Sequence, residues 1–188
     1  MESTPASPNW AEIPQWSLQV GSLGKTLIAI AVVAFLISGL LSAFSDRWPR
    51  IRQIALFLGG FSIFGATGAL LQLILNKQYQ FHYVFKHSDN TLDFGYRFAS
   101  LWGGQEGSFL LWAVMTSVFI LIVQPFTGKY QRAFTAAGAL LLAGLAGILA
   151  YESPFNLIPP DQLPTALLGK VPPGAAPAPT YSLSGRQG

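Results

Sequence analysis

Four long apolar runs, joined by short polar connections, leave this chain few folds to choose from. Residues 26–45 hold nothing ionisable between Lys25 and Asp46, and the runs 53–76, 107–126 and 133–151 are equally free of charge. A stretch of about 18 or more apolar residues with few charges is long enough to cross a bilayer as a helix. One such helix can hide in a soluble core; four in succession point to an all-α polytopic membrane protein. Composition agrees, since only 10% of the residues are charged, against about 25% in soluble domains.

The basic residues set an orientation. The connection 46–52 carries Arg47, Arg50 and Arg52, and 127–132 carries Lys129 and Arg132 without an acid. Both are predicted to face the cytoplasm. The long connection 77–106 mixes Lys77, Lys86 and Arg97 with Asp89, Asp93 and Glu106 and belongs on the outer side, together with both termini. The net charge of +3 follows from this bias, so no nucleic-acid partner is predicted. Residues 1–25 are polar, include Glu2 and Glu12 and lack a basic leader region, and the run after them is too long for a signal-peptide core, so that run reads as a retained first span preceded by an external segment. Trp10 and Trp16 fit there as interface anchors, or as incidental residues of a disordered leader. Residues 152–188 hold eight of the thirteen prolines and are predicted to form an extended flexible tail.

The absence of cysteine removes disulfides, thiolate metal sites and thiol nucleophiles. No phosphate-binding glycine loop, paired metal-ligand motif or nucleophile elbow is present. Gly65 with Ala69, and Ala143 with Gly147, have the spacing of small residues that lets helices approach in lipid. They fit generic packing more readily than a dedicated dimer motif; Gly59 and Gly60 have no role legible from the sequence.

The outer loop opens with Tyr79, Phe81, Tyr83 and Phe85, aromatic at every second position, a period that predicts an extended segment with His82 on its polar face. His82 and His87 lie five residues apart, on opposite faces of a strand and about 140° apart on a helix, so they are not a ready ligand pair. Ser88, Asp89 and Asn90 form a turn cluster. The spacing of Leu92, Phe94, Phe98 and Leu101 predicts a short amphipathic helix along the membrane surface, with Arg97 toward water or a lipid phosphate. The stretch YRFASLWGGQEGSFLLW, residues 96–112, then places Arg97 and Glu106 beside a span. Ionisable groups at that depth are costly and usually have a partner or a function. Two readings stand open for it. Glu106 fits the first turn of the third span, where the helix dipole favours a carboxylate by about 0.3–1 kcal/mol, and a functional loop also fits. Gly103 and Gly104 allow unusual backbone angles or close approach of another chain or ligand. Trp102 and Trp112, about three turns apart on a continuous helix, are expected to mark one face.

The run HSDNTLDFGYRFASLWGGQEGSFLLW, residues 87–112, resembles the external loop and third span of the CcmF-type cytochrome c haem lyases, whose relatives include NrfE and, more distantly, CcsA-type proteins. Tyr96, Arg97, Trp102, Gly103, Gly104, Glu106, Gly107, Ser108, Leu110, Leu111 and Trp112 match the family's YR…WGG-H-EGS-LLLW pattern, and Ser153, Pro154 and Phe155 resemble a motif after its fourth span. Gln105 stands where the family often has histidine. The family's tryptophan-rich WWD-type segment and its haem-ligating histidines have no counterpart here. The resemblance implies a membrane subunit, or an amino-terminal piece, of the cytochrome c biogenesis machinery in a bacterial inner membrane. It is expected to scaffold haem delivery to apocytochrome c and to be inactive alone. Its implied partners are haem, apocytochrome c, other maturation membrane proteins and the remaining part of a split lyase. The implied haem- or partner-contacting loop is Tyr96, Arg97, Trp102, Gly103, Gly104, Gln105, Glu106, Gly107 and Trp112, with no metal ligand and no catalytic residue. A non-catalytic assembly or anchor protein is the main alternative. A small channel or transporter subunit fits less well, because no span has an ionisable residue near its middle.

Overall fold

The computed structural model describes residues 14–158 apart from 46, 90 and 91. Trp10, Asn90 and the proline-rich tail beyond residue 158 lie outside the described residues. The fold is all-α. Helices α1 (Gln15–Phe44), α2 (Pro49–Leu75), α5 (Gln105–Val123) and α6 (Gln131–Tyr151) are long and apolar enough to cross a membrane, and two short helices, α3 (His82–His87) and α4 (Phe94–Ala99), lie in the connection between α2 and α5. Among the described residues no strand forms; one isolated antiparallel bridge joins Phe81 to Leu157.

The four long helices close into a ring in which α1 packs on α2 and α6, and α5 packs on α6 and α2. Ile28, Phe35, Ile63, Leu70, Leu110, Leu142 and Leu149 fill its centre, while Ile54, Phe61, Phe119 and Ile122 project outward. Lipid tails are as apolar as leucine, so close packing rather than water exclusion holds such helices together. That requirement gives Gly59 and Gly60 their role. A Cβ on Gly59 would stand 2.6 Å from the Phe35 ring of α1, and one on Gly60 would stand 3.2 Å from Leu121 of α5. Gly65 likewise takes Leu27 of α1, so this small-residue pair packs within the chain, whereas Gly147 has nothing within 4 Å.

At one end of the ring the Arg132 guanidinium donates through Nε to the Ser42 carbonyl (3.3 Å), and basic side chains suit the free carbonyls of a helix C-terminus. The opposite end carries the connection between α2 and α5. Helix α1 begins at Gln15, well before the apolar run at residue 26, and its 30 residues make it about 45 Å long at about 1.5 Å per residue. Its first turns therefore extend past an apolar run long enough to span the hydrocarbon, forming a post at the loop end. Gly21 takes the Phe81 ring and Gly24 takes the Phe155 ring. Gln80 Nε2 donates to Ser17 Oγ at 2.7 Å.

The extended segment expected over residues 79–86 does not form. Phe81 sits in the bridge to Leu157, and the chain turns into α3 at His82. Among the described residues the start of this segment pairs, backbone to backbone, with the short stretch after α6: His82 N–H donates to the Asn156 carbonyl (2.8 Å) and Ile158 N–H to that of Gln80 (2.9 Å). No strand among the described residues lies alongside residues 82–87, and they satisfy their own backbone as a helix. In that geometry Phe81, Tyr83 and Val84 are all buried, and His82 and Lys86 are exposed.

Candidate functional site

The loop is fastened to the head of α5 by a side chain that the period-two reading had placed on a strand. Tyr83 Oη lies 2.8 Å from the Leu101 carbonyl and 3.1 Å from that of Ser100, donating its one hydrogen between them. It accepts the Gly104 N–H at 3.3 Å. Two carbonyls and one amide at the turn into α5 thus converge on one buried phenol. A buried polar group left without partners costs about 1–3 kcal/mol, so this hydroxyl and the turn hold one another in place. Burial pushes the Tyr83 pKa up to about 12, the Gly104 amide opposing and Glu106 reinforcing.

The glycines follow from this arrangement. Gly103 (φ −69°) and Gly104 (φ −116°) have ordinary backbone angles, so neither is required for a rare conformation. Gly104 is required for space, because the His87 ring lies against its Cα. Gly107, in the first turn of α5, has the Leu101 carbonyl and the Tyr83 hydroxyl in the place of a Cβ. The close approach expected at this glycine cluster is made by the chain's own α3. Gly103 meets only ordinary contacts, the nearest being Ser100 O at 3.5 Å. Tyr83 and His87 face the same side of α3 one turn apart, with ring centroids 4.7 Å apart. Both were missed as site residues; reading residues 82–87 with a helical period would have put them together.

The remaining expected residues spread over three settings. Glu106 is half-buried in the first turn of α5, near enough to act on both Tyr83 and His87. Gln105 opens the helix and is exposed. Trp102 ends a 3-10 turn, Ser100–Trp102, stacks edge-on against Phe98 (5.3 Å) and is 37% exposed. Its carbonyl accepts Ser108 Oγ at 3.2 Å. Trp102 and Trp112 do not share a helix face, because the chain turns at Gly103 and Gly104 before α5 begins; Trp112 is exposed on α5. Tyr96 is exposed on α4, a helix that buries none of its residues. Arg97 does not simply face water. It is half-buried, its Nη2 donates to the Leu92 carbonyl (2.8 Å), and its buried Nε has no acceptor.

His82 and His87 stand at the two ends of α3. Among the described residues no three His, Asp or Glu side chains converge as metal ligands. Burial lowers the His87 pKa below its ordinary value; Glu106 opposes this, while Lys86 and His82 add to it. The folded state therefore favours the neutral ring. Its contribution to stability is complete above about pH 6.5, the unperturbed value, and is lost as pH falls through the folded value. Amide exchange at residues 83–88 and 104–107, corrected for intrinsic rates, is expected to quicken as pH drops below about 6.5 in the native chain and much less in His87→Gln. Equal acceleration in both would exclude His87 as the cause.

No family model and no solved structure matches this chain. Curated proteins do. It is 36% identical over 100 residues to the cytochrome c-type biogenesis protein NrfE of Haemophilus influenzae, covering 50% of this chain and 16% of that one. Over 151 residues it is 27% identical to the cytochrome c-type biogenesis protein CcmF of Pseudomonas fluorescens, covering 76% of this chain and 23% of the relative. A probable NrfE of Escherichia coli is 31% identical over 107 residues, 55% of this chain and 19% of that protein. The chain is thus similar to the CcmF and NrfE proteins that its loop motif resembles, and it matches less than a quarter of their length.

Proposed function

We propose that this chain is a membrane subunit of a cytochrome c biogenesis system, one that scaffolds haem delivery to apocytochrome c on the outer face of a bacterial inner membrane. The observation that supports this most directly is its similarity to CcmF and NrfE proteins, joined to a loop that is fastened rather than free. Both termini lie outside in this reading, because Arg47, Arg50 and Arg52 share an end of the ring with Lys129 and Arg132. Haem is cargo, and the chain contributes a wall. Tyr83, Gly104 and Gly107 fix the turn, Glu106 lies in the first turn of α5, and Trp102 and Arg97 offer a partly open aromatic edge and a half-buried guanidinium. A carboxylate such as a haem propionate suits a guanidinium. His87 is not proposed as an iron ligand, since its ring is packed between Tyr83 and Gly104. In this reading iron ligation and the attachment chemistry are supplied by other maturation membrane proteins.

In a strain that depends on this gene, Arg97→Ala and Trp102→Ala are each expected to lower holocytochrome c yield several-fold while the chain's level in the membrane is unchanged. Unaltered yield in both variants would overturn the role of the loop. Co-purification of a second membrane protein, with a haem absorbance in the pair only, is the accompanying positive result.

A further inference from the structure

Between the loop-end halves of α2 and α5 runs a groove of ≈ 270 Å³. Phe64, Leu71, Leu110 and Val114 line it, and Phe98 and Trp102 contribute from the loop. The lining is almost wholly apolar, and its one side-chain hydroxyl, that of Thr67, already donates to the Ile63 carbonyl (2.8 Å). Gly68 leaves the wall open, with nothing within 4 Å of the place a Cβ would take. Such a lining offers an occupant little hydrogen bonding and suits hydrocarbon. The groove lies on two spans at the level of the bilayer, where acyl chains are the abundant hydrocarbon. The helix bearing Phe98 also bears Arg97, whose buried Nε lacks an acceptor. Its guanidinium as a whole is half-buried at the loop end of the bundle, and its charge is complementary to a phosphate.

We infer that this groove holds one acyl chain of a phospholipid from the leaflet at the loop end, with the lipid phosphate at Arg97. The occupant wedges between α2 and α5 under the Phe98 and Trp102 rings and fills a gap that the chain's own side chains leave. The inference does not require the maturation role, and its test reads no cytochrome.

The test uses the full chain reconstituted in vesicles of phosphatidylcholine and phosphatidylglycerol, either of which carries a photoactivatable group midway along one acyl chain. Cross-linked peptides are then mapped. Labelling is expected to concentrate on segments 64–71 and 107–114. Gly68→Trp, which fills open space, is expected to lower it there at least five-fold without changing labelling on α1. Gly68→Leu, the smaller filler, should give an intermediate loss and keeps the test decisive if the indole disturbs folding. Arg97→Gln is expected to reduce groove labelling by both lipids, since both carry the phosphate. Labelling spread evenly around the native bundle, labelling unaffected by both Gly68 fillers, or a native groove shielded by a co-purifying membrane protein would each overturn the inference. Groove labelling that persists in Arg97→Gln would overturn the phosphate contact.

Discussion

Gly107→Ala is expected to destabilise the chain by about 3 kcal/mol, although alanine is the better helix former by about 1 kcal/mol. Intrinsic propensity and packing have opposite signs at this position, and the packing effect is larger. The added methyl would coincide with the Leu101 carbonyl and the Tyr83 hydroxyl, two groups that are hydrogen-bonded to each other. Neither has anywhere to go: the carbonyl is backbone, and the phenol is held by Gly104 as well. Making room means breaking that bond, with buried polar groups left unpaired at about 1–3 kcal/mol each and overpacking adding about 1–3 kcal/mol. Gly144→Ala is the control. Gly144 lies inside α6 with nothing within 4 Å, so propensity acts alone and the apparent Tm in detergent should hold or rise. If Gly107→Ala raised Tm as Gly144→Ala does, the fastening of the loop through Tyr83 would be wrong.

The four spans were legible because bilayer thickness imposes a length and a composition that no other local requirement mimics. Their true starts were not. Helix α1 runs on from Gln15 through Lys25, since a helix extending beyond the hydrocarbon has no need to be apolar. The amphipathic-helix expectation for residues 91–101 found a real helix, Phe94–Ala99, followed by the turn Ser100–Trp102. Phe94 and Tyr96 are exposed, as a helix lying along a membrane surface allows, and Arg97 is half-buried. That helix touches α2 without being enclosed, so sequence period alone had no core to point at.

The loop failed for a more specific reason. Tyr79, Phe81 and Tyr83 are all buried, as an alternating pattern demands, yet Phe81 and Tyr83 are covered by different surfaces. Phe81 rests on Gly21 of α1, and Tyr83 on Gly107 of α5. Period two is the signature of one flat face, and here it arose from a turn followed by a helix. The motif WGGQEGS announced that glycine was needed at Gly104 and Gly107 without announcing for what. Only the fold brings α3 to them.

Phe155→Ala carries the other large effect, and its consequence should appear far from residue 155 in sequence. Phe155 is 1% exposed, and removing a buried phenylalanine side chain costs about 3–5 kcal/mol. Its ring lies on Gly24, in the part of α1 that stands at the loop end. The same short segment receives the His82 N–H and supplies the Ile158 N–H that hold residues 80–82. Loss of the ring is therefore expected to free residues 153–158 and, with them, the start of α3, so that limited proteolysis cuts within residues 77–87 at least ten-fold faster. Leu157→Ala, at a side chain 48% exposed, should have little effect. Gly24→Ala provides the cross-check. Its methyl would enter the space of the Phe155 ring, so it should be destabilising in the native chain and close to neutral once residue 155 is alanine, a coupling that residues in contact produce and distant ones do not. Additive losses in the double variant would mean that Phe155 does not sit on Gly24.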